Sequence, residues 1–320
     1  MRHRIYATQS LDTYATERLS RLGDFVVSSD PVELVMLREI VDATALVVRG
    51  QAPITAAVIA AAPGLKVIGR TGVGYDTVDI AAATARGIPV VFTPGVGARA
   101  VAEAAMAYML ALCKMIPYWD VQLKSGNWKS RYAVQGRDLD CRTLGIVGFG
   151  RIGQMLAEMA QPFNMRIVAH DPIGDVQRAA ALGVELLPLD ALMRSADFIS
   201  LHCPPAPDTL GLINRERLSL VKPGTYLINL ARGVVIESFD VLHEMLQNGQ
   251  LGGVALDVFD PAPPDVSHPL FSHPGCIGSP HSMATTRGAM TRIFKSMADD
   301  MAAILEGRRP NFVVNPEVLT

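Results

Sequence analysis

Excess charge is the first thing missing. The 320 residues carry 29 Lys and Arg against 31 Asp and Glu, a formal net charge of −2 at pH 7. Gripping a phosphate backbone takes a basic surface, so nucleic acid is excluded as the main partner. Charged residues amount to only 19% against 49% hydrophobic, which excludes a disordered chain. Cysteine is scarce too. Cys113, Cys141, Cys203 and Cys276 form no C-x-x-C pair and suggest neither a zinc site nor a disulfide framework. Reduced thiols in a cytoplasmic setting are expected. Long apolar runs are also lacking. Residues 1–10 hold no stretch suited to a signal peptide, and 101–115, broken by Glu103 and Lys114, is too short to span a bilayer. The expectation is a soluble globular chain of two domains, at roughly 150 residues each.

What is present alternates. Short β-rich runs at 45–48, 66–68, 89–92, 144–147, 166–169, 198–201 and 225–229 are separated by Ala-rich helical stretches. That alternation predicts an α/β fold of doubly wound parallel sheets, and nearly continuous apolar character predicts strands buried on both faces. Two of the runs lead into glycine loops: the strand ending before Gly72-Val-Gly74, and the one ending before Gly148-Phe-Gly150-Arg-Ile-Gly153. This weak echo suggests where two domains meet. Val101, Ala105, Tyr108, Leu112 and Met115 form one apolar helical stripe, a candidate bridge between them. Residues 117–140, with both tryptophans (Trp119 and Trp128), read as a long irregular stretch suited to a subunit contact, the alternative being tryptophans that simply cover the edge of the core. Helical spacing at Ile293, Met297 and Met301 predicts a last helix packed back on the first domain.

The second glycine loop carries the clearest chemistry. Gly148, Gly150 and Gly153 follow a strand and open a helix, and Asp171 ends the next strand close to the spacing of a dinucleotide fingerprint. Glycines are needed there for a tight turn, for close approach of a pyrophosphate to the backbone, and for helix–strand packing. The amides at Arg151 and Ile152 would meet the phosphates. Asp171 would accept hydrogen bonds from the adenosine ribose and repel a 2′-phosphate, with no basic residue after it until Arg178, so NAD is expected rather than NADP. The alternative for Asp171 is a turn cap before Pro172.

In such folds the chemistry gathers at the carboxyl ends of strands. Arg232 follows the run ending at Asn229, and His281 closes Gly278-Ser-Pro-His. An arginine fork matches a carboxylate, and a histidine exchanges protons near neutral pH. Together they suit interconversion of 2-hydroxy and 2-oxo acids. The competing readings are an ion-paired Arg232 and a structural His281 in a segment already rich in histidine and proline. Arg49 is either a substrate contact or a surface arginine, His202 reads as a packing residue, and Tyr75 as a core or cleft-wall residue.

Along nearly its whole length the sequence resembles the D-2-hydroxyacid dehydrogenase family, which includes phosphoglycerate and glycerate dehydrogenases. The resemblance rests on Gly72-Val-Gly74-Tyr-Asp-Thr-Val-Asp79, Thr93-Pro-Gly95, Val101-Ala-Glu103, the fingerprint with Asp171-Pro172, Leu201-His-Cys-Pro204, Lys222-Pro-Gly224, Ala231-Arg232-Gly233, Ala255-Leu-Asp257-Val-Phe259 and Ser279-Pro-His281. It implies a substrate domain of residues 1–98 and 285–320, an NAD domain of residues 99–284, an active-site cleft between them, and a homodimer. It casts Arg232 and His281 as catalytic, and the amides around Val73 and Gly74 as substrate-binding, with Arg49 kept from its strand-end position as a further substrate-binding candidate. Cofactor contacts are implied at Gly148, Gly150, Arg151, Ile152, Gly153, Asp171, Pro172, Pro204, Thr209, Ala231 and Asp257. No metal is expected.

Three positions depart from the family pattern. Where its members usually read D-V-F-x-x-E-P, with the glutamate paired to the histidine, this chain has Ala262. Asp260 could substitute, although a turn residue is the preferred reading. Gly97 and Ala104 stand where asparagine and histidine are common, which leaves the substrate open. Ala262 also motivates two other readings: an NAD-sensing binding protein without turnover, or a dehydrogenase of formate or a similar small anion.

Overall fold

The computed structural model describes residues 2–319. The chain divides into two compact units, Met1–Gly97 with Thr285–Thr320, and Ala98–Ala284.

In the first unit, β1 (His3–Ala7), β2 (Gly23–Val27), β3 (Ala45–Val48), β4 (Val67–Arg70) and β5 (Val90–Val91) form a parallel sheet in the order β2-β1-β3-β4-β5. β3 is buried throughout, as its unbroken Ala-Leu-Val-Val demands of a strand covered on both faces. The 19-residue helix Arg287–Leu305 returns to this unit and covers β4, where Met297 and Met301 fill the space that Gly69 leaves by having no side chain. Asn315 then ties the chain end down. Its side chain accepts from the amide of Val90 at 2.8 Å and donates to the carbonyl of Ile88 at 2.9 Å.

The second unit carries β6 (Thr143–Val147), β7 (Arg166–His170), β8 (Glu185–Leu186), β9 (Phe198–Leu201), β10 (Thr225–Asn229), β11 (Leu251–Leu256) and β12 (Cys276–Gly278), all parallel, in the order β12-β11-β10-β9-β6-β7-β8. One apolar cluster packs the helices Ala98–Cys113 and Arg151–Ala160 onto one face, and another packs Leu189–Ser195 and Phe239–Gln247 onto the other. Chain order reverses between β6 and β9, the switch point at which sheets of this kind open a crevice.

The helix carrying Val101, Ala105, Tyr108 and Leu112 falls in the second unit, where it packs against Arg151–Ala160. One expectation needs correcting: the stretch from 117 to 140 is not irregular throughout. Ile116–Lys124 is an α-helix and Trp128–Tyr132 a 3₁₀ turn. Pro117 lies in the first helical turn, where an amide hydrogen has no intrahelical acceptor to lose. No single helix among the described residues is long and apolar enough to cross a membrane.

Candidate active site

Backbone register creates the site. His170, Val147, Leu201, Asn229, Leu256 and Gly278 are successive Cα partners across the second sheet, so six strands leave it from one row. Gly148 follows Val147, Asp171 follows His170, Asp257 follows Leu256, and the Arg232 and His281 turns follow Asn229 and Gly278. Neighbouring strands lie about 4.8 Å apart, so the ends of β10 and β12 stand roughly 10 Å from each other with Asp257 between them.

The glycine loop meets the demands of a dinucleotide. Gly148 has φ +94°, and a Cβ there would lie 2.6 Å from the amide nitrogen of Cys203. A Cβ on Gly153 would run into the carbonyl oxygen of Gly148. Gly150 differs: its position faces open space within 4 Å, leaving backbone that a bound group can approach. Gly150 caps the helix Arg151–Ala160 without a side-chain hydrogen bond, so the positive end of that helix is not occupied by a capping side chain. Arg151 is exposed and Ile152 half-buried. Asp171 accepts from the amides of Phe149 at 2.8 Å and Ile173 at 3.0 Å, which orients its carboxylate beside the loop and leaves acceptor capacity over. Pro172 is exposed next to it. The donor and acceptor set therefore fits a dinucleotide.

Past β9, Pro204 is exposed, and the Thr209 hydroxyl is engaged inside its own turn: it donates to the Pro204 carbonyl and accepts from the Ala206 amide, both at 2.7 Å. His202 is a packing residue. Its Nε2 pairs with Ser200 Oγ at 2.8 Å, its Nδ1 is sealed without a partner, and burial pushes its pKa down to about 3. Burial also lifts the thiol of Cys203 to about 11.

Past β10, fully buried Asn229 builds the Arg232 turn. Its amide donates to the carbonyl of Arg232 at 2.9 Å and its oxygen accepts from the amide of Ala231 at 3.0 Å. Ala231 is buried, while Arg232 is half-buried and donates from Nη1 to the carbonyl of Ala231 at 2.8 Å. Gly233 is required here, because a Cβ would strike the backbone of Phe259 and Asp260. Past β12, His281 is exposed, with φ +52° and its amide donating to the carbonyl of Ser279 at 2.9 Å.

Asp257, only 3% exposed, joins these turns. Its Oδ1 accepts from the hydroxyl of Ser279 and from the amides of Ser282 at 2.8 Å and Met283 at 3.3 Å. The carboxylate thus holds the His281 turn, a task the motif alone does not disclose. Ser279 in turn contacts the hydroxyl of Tyr108. In the sequence Tyr108 is one position of an apolar stripe. A phenol in a stripe of Val, Ala, Leu and Met is the signal that would have singled it out, because a buried hydroxyl needs a partner.

Arg49, Val73 and Gly74 belong to the first unit. Arg49 donates to the carbonyl of Ser10 and lies over the ring of Phe294, 5.1 Å from its centre. Val73 is 51% exposed, beside Gly72 with φ +137°, and Arg70 Nε donates to the carbonyl of Gly74 at 2.8 Å. Arg70 thereby shapes the loop that carries Val73 and Gly74, a role that no motif in the sequence marks.

Comparison with known proteins agrees with this geometry. Residues 106–283 match the family model described as D-isomer specific 2-hydroxyacid dehydrogenase, NAD binding domain. The chain is 38% identical over 313 residues to a D-3-phosphoglycerate dehydrogenase of Methanocaldococcus jannaschii, covering 98% of this chain and 59% of that protein. It therefore spans about three fifths of the length of that relative. It is also 38% identical over 295 residues to a hydroxypyruvate reductase of Thermotoga maritima, covering 91% of this chain and 95% of the relative. Among solved structures, a protein of Thermus thermophilus superposes with a TM-score of 0.91 at 36% identity, covering 97% of this chain and 99% of that one. An NADPH-dependent glyoxylate/hydroxypyruvate reductase of Sinorhizobium meliloti, in complex with NADP and malonate, gives a TM-score of 0.88 at 28% identity, covering 98% and 97%. A family match over more than half the chain, joined to a relative 38% identical over 91% of this chain and 95% of its own length, settles the lineage: the chain belongs to the D-isomer specific 2-hydroxyacid dehydrogenase family.

Proposed function

We propose that the protein is an oxidoreductase that interconverts a small 2-hydroxy acid and its 2-oxo acid, with NAD as its dinucleotide. The observation that carries this reading is the shared register row, from which the glycine loop, Asp171, the Arg232 turn and the His281 turn all spring. A bound nicotinamide supplies the hydride that C2 of the 2-oxo acid gains. Arg232 would grip the substrate carboxylate and carbonyl oxygen with its guanidinium fork, polarising the carbonyl. His281 would donate its imidazole proton to that oxygen during reduction and take it back during oxidation.

The first unit is proposed as the substrate domain, with the amides of Val73 and Gly74 receiving the substrate carboxylate in a glycine-rich nest and Arg49 adding positive charge. In the second unit, Pro172, Pro204, Thr209 and Ala231 are proposed to line the dinucleotide alongside the glycines. NAD is preferred over NADP because Asp171 presents a negative charge, and because Arg178, the first basic residue after it, is already paired with Glu158.

A homodimer in the cytoplasm is part of the proposal. Unpaired cysteines support the compartment. The helix Ile116–Lys124 supports the dimer, since it buries none of its residues and leaves Val121 and Leu123 about 60% exposed, with Trp128 at 64% and Tyr132 at 79% close behind. Sedimentation at twice the 34.4 kDa chain mass is expected, and a single species at chain mass would remove the dimer.

Ala262 favours a second and a third reading, a dinucleotide-binding protein without turnover and a dehydrogenase of formate or a like anion. One assay decides. Purified protein is mixed with NADH, and in parallel NADPH, and with glyoxylate, hydroxypyruvate or pyruvate. NADH absorbance is expected to fall with at least one acid, with kcat/KM at least about tenfold above that with NADPH. Tight NADH binding by calorimetry without turnover of any acid would favour the binding protein, and reduction of NAD by formate alone the third possibility.

A further inference from the structure

We infer that Tyr108 is a positioning residue for His281: acting through Ser279 and Asp257, its buried hydroxyl closes a hydrogen-bonded chain that holds the 279–283 turn in the shape that presents the imidazole. The inference rests on the reading of His281 as the proton-transfer group.

The direction of the chain follows from donor counting. Ionised Asp257 can only accept, and its Oδ1 receives Ser279, Ser282 and Met283. Ser279 has one hydroxyl hydrogen and gives it to that carboxylate, so toward Tyr108 it can only accept. Tyr108 is therefore the donor. It is 3% exposed, and among the described residues the other acceptor near its hydroxyl is the carbonyl of Leu256, at a marginal 3.5 Å. Burial, with the charge of Asp257 behind it, raises its pKa to about 12 even though the Ser279 contact pulls the other way, so the phenol stays a neutral donor throughout the working pH range. Successive hydroxyls ending on a carboxylate polarise one another and strengthen the whole series.

Geometry explains why His281 needs such support. Its φ of +52° lies in the left-handed region, which a residue with a side chain keeps only where its surroundings over-determine it. The turn is pinned before His281 by Ser279, whose carbonyl accepts the His281 amide at 2.9 Å, and after it by the amides of Ser282 and Met283. Both sides converge on Asp257, and Tyr108 approaches from the helix Ala98–Cys113 to lock Ser279 in place.

Tyr108→Phe, Ser279→Ala, Ser279→Thr and the Tyr108→Phe/Ser279→Ala pair, each in the full chain, test the inference. Hydrogen exchange at the amides of Ser282 and Met283 is measured beside kcat, the kcat–pH profile and NADH affinity. Tyr108→Phe is expected to lower kcat about three- to tenfold, the ordinary worth of one hydrogen bond, and to speed exchange by a similar factor while NADH affinity holds. Ser279→Ala is expected to show losses at least as large, Ser279→Thr, which keeps the hydroxyl, to stay near the unaltered protein in both, and the double variant to be no worse than Ser279→Ala alone, as expected of one shared network. A lower melting temperature with kcat, pH profile and exchange unchanged would overturn the inference, as would a fall in kcat without faster exchange. Should the unaltered protein turn over no acid while exchange still accelerates in Tyr108→Phe, the positioning stands and the enzymatic reading fails.

Discussion

On the proposed reading, exchanging His281 for asparagine is expected to lower kcat for reduction of a 2-oxo acid by about 10²–10⁴-fold, the usual contribution of a positioned general acid. Asparagine is the informative replacement because of the backbone. His281 has φ +52°, and asparagine is among the few residues that occupy the left-handed region readily, so the turn survives and only the titrating ring is lost. The amides of Ser282 and Met283 remain on Asp257, and the glycine loop is untouched, so NADH affinity should hold within about twofold. Whatever dependence of kcat on pH the imidazole imposes should vanish with the ring. A kcat within about threefold of the unaltered protein would strip His281 of the proton-transfer role.

The second large effect comes from a pair of glycines that fail in different ways. Gly148→Ala costs about 1–3 kcal/mol of stability and also weakens NADH binding, because the new Cβ must fit a backbone at φ +94° and lies 2.6 Å from the amide nitrogen of Cys203. Neither obstacle is a flexible side chain that can swing aside. Gly150→Ala behaves otherwise. Its φ of −78° and ψ of −159° are open to alanine, and the added methyl meets nothing within 4 Å, so stability should change by under about 0.5 kcal/mol. Binding should still fall at least about tenfold, because the methyl stands where a pyrophosphate has to approach the backbone. Thermal melts and NADH titrations of the two variants separate folding from binding. Unchanged affinity in Gly150→Ala would mean that no dinucleotide lies on this loop.

Much of the fold is legible in the residues themselves, for reasons that also explain what is not. The segments that became β3, β9 and β10 are short, apolar and bounded by turn residues, which is the mark of a strand buried on both faces. β11 has glycines at two of its first three positions and does not read as a strand, yet tertiary pairing with β10 and β12 makes it one. β8 is two residues long and carries no pattern at all. The helix Ile116–Lys124 escapes notice because none of its residues is buried, so its apolar side chains follow no single stripe. The candidate site divides along the same line. Glycines, Asp171, Arg232 and His281 are visible through their spacing, whereas Asn229, Tyr108 and Ser279 act through hydrogen bonds that no spacing announces.

Taken alone, the amino-acid order determined the α/β class, the dinucleotide character of the loop at Gly148–Gly153, and the two strand-end residues suited to a carboxylate and a proton. Those are local properties, written in backbone conformational demands and in side-chain chemistry over a few tens of positions. Only the tertiary structure decided that β10, β11 and β12 lie side by side in register, and so that Asp257 braces the turn bearing His281 while Tyr108 reaches Ser279 across 171 positions. The reason is physical: strand order and register in a parallel sheet are set by how crossover helices bury their apolar faces, a many-body packing outcome that no short segment specifies.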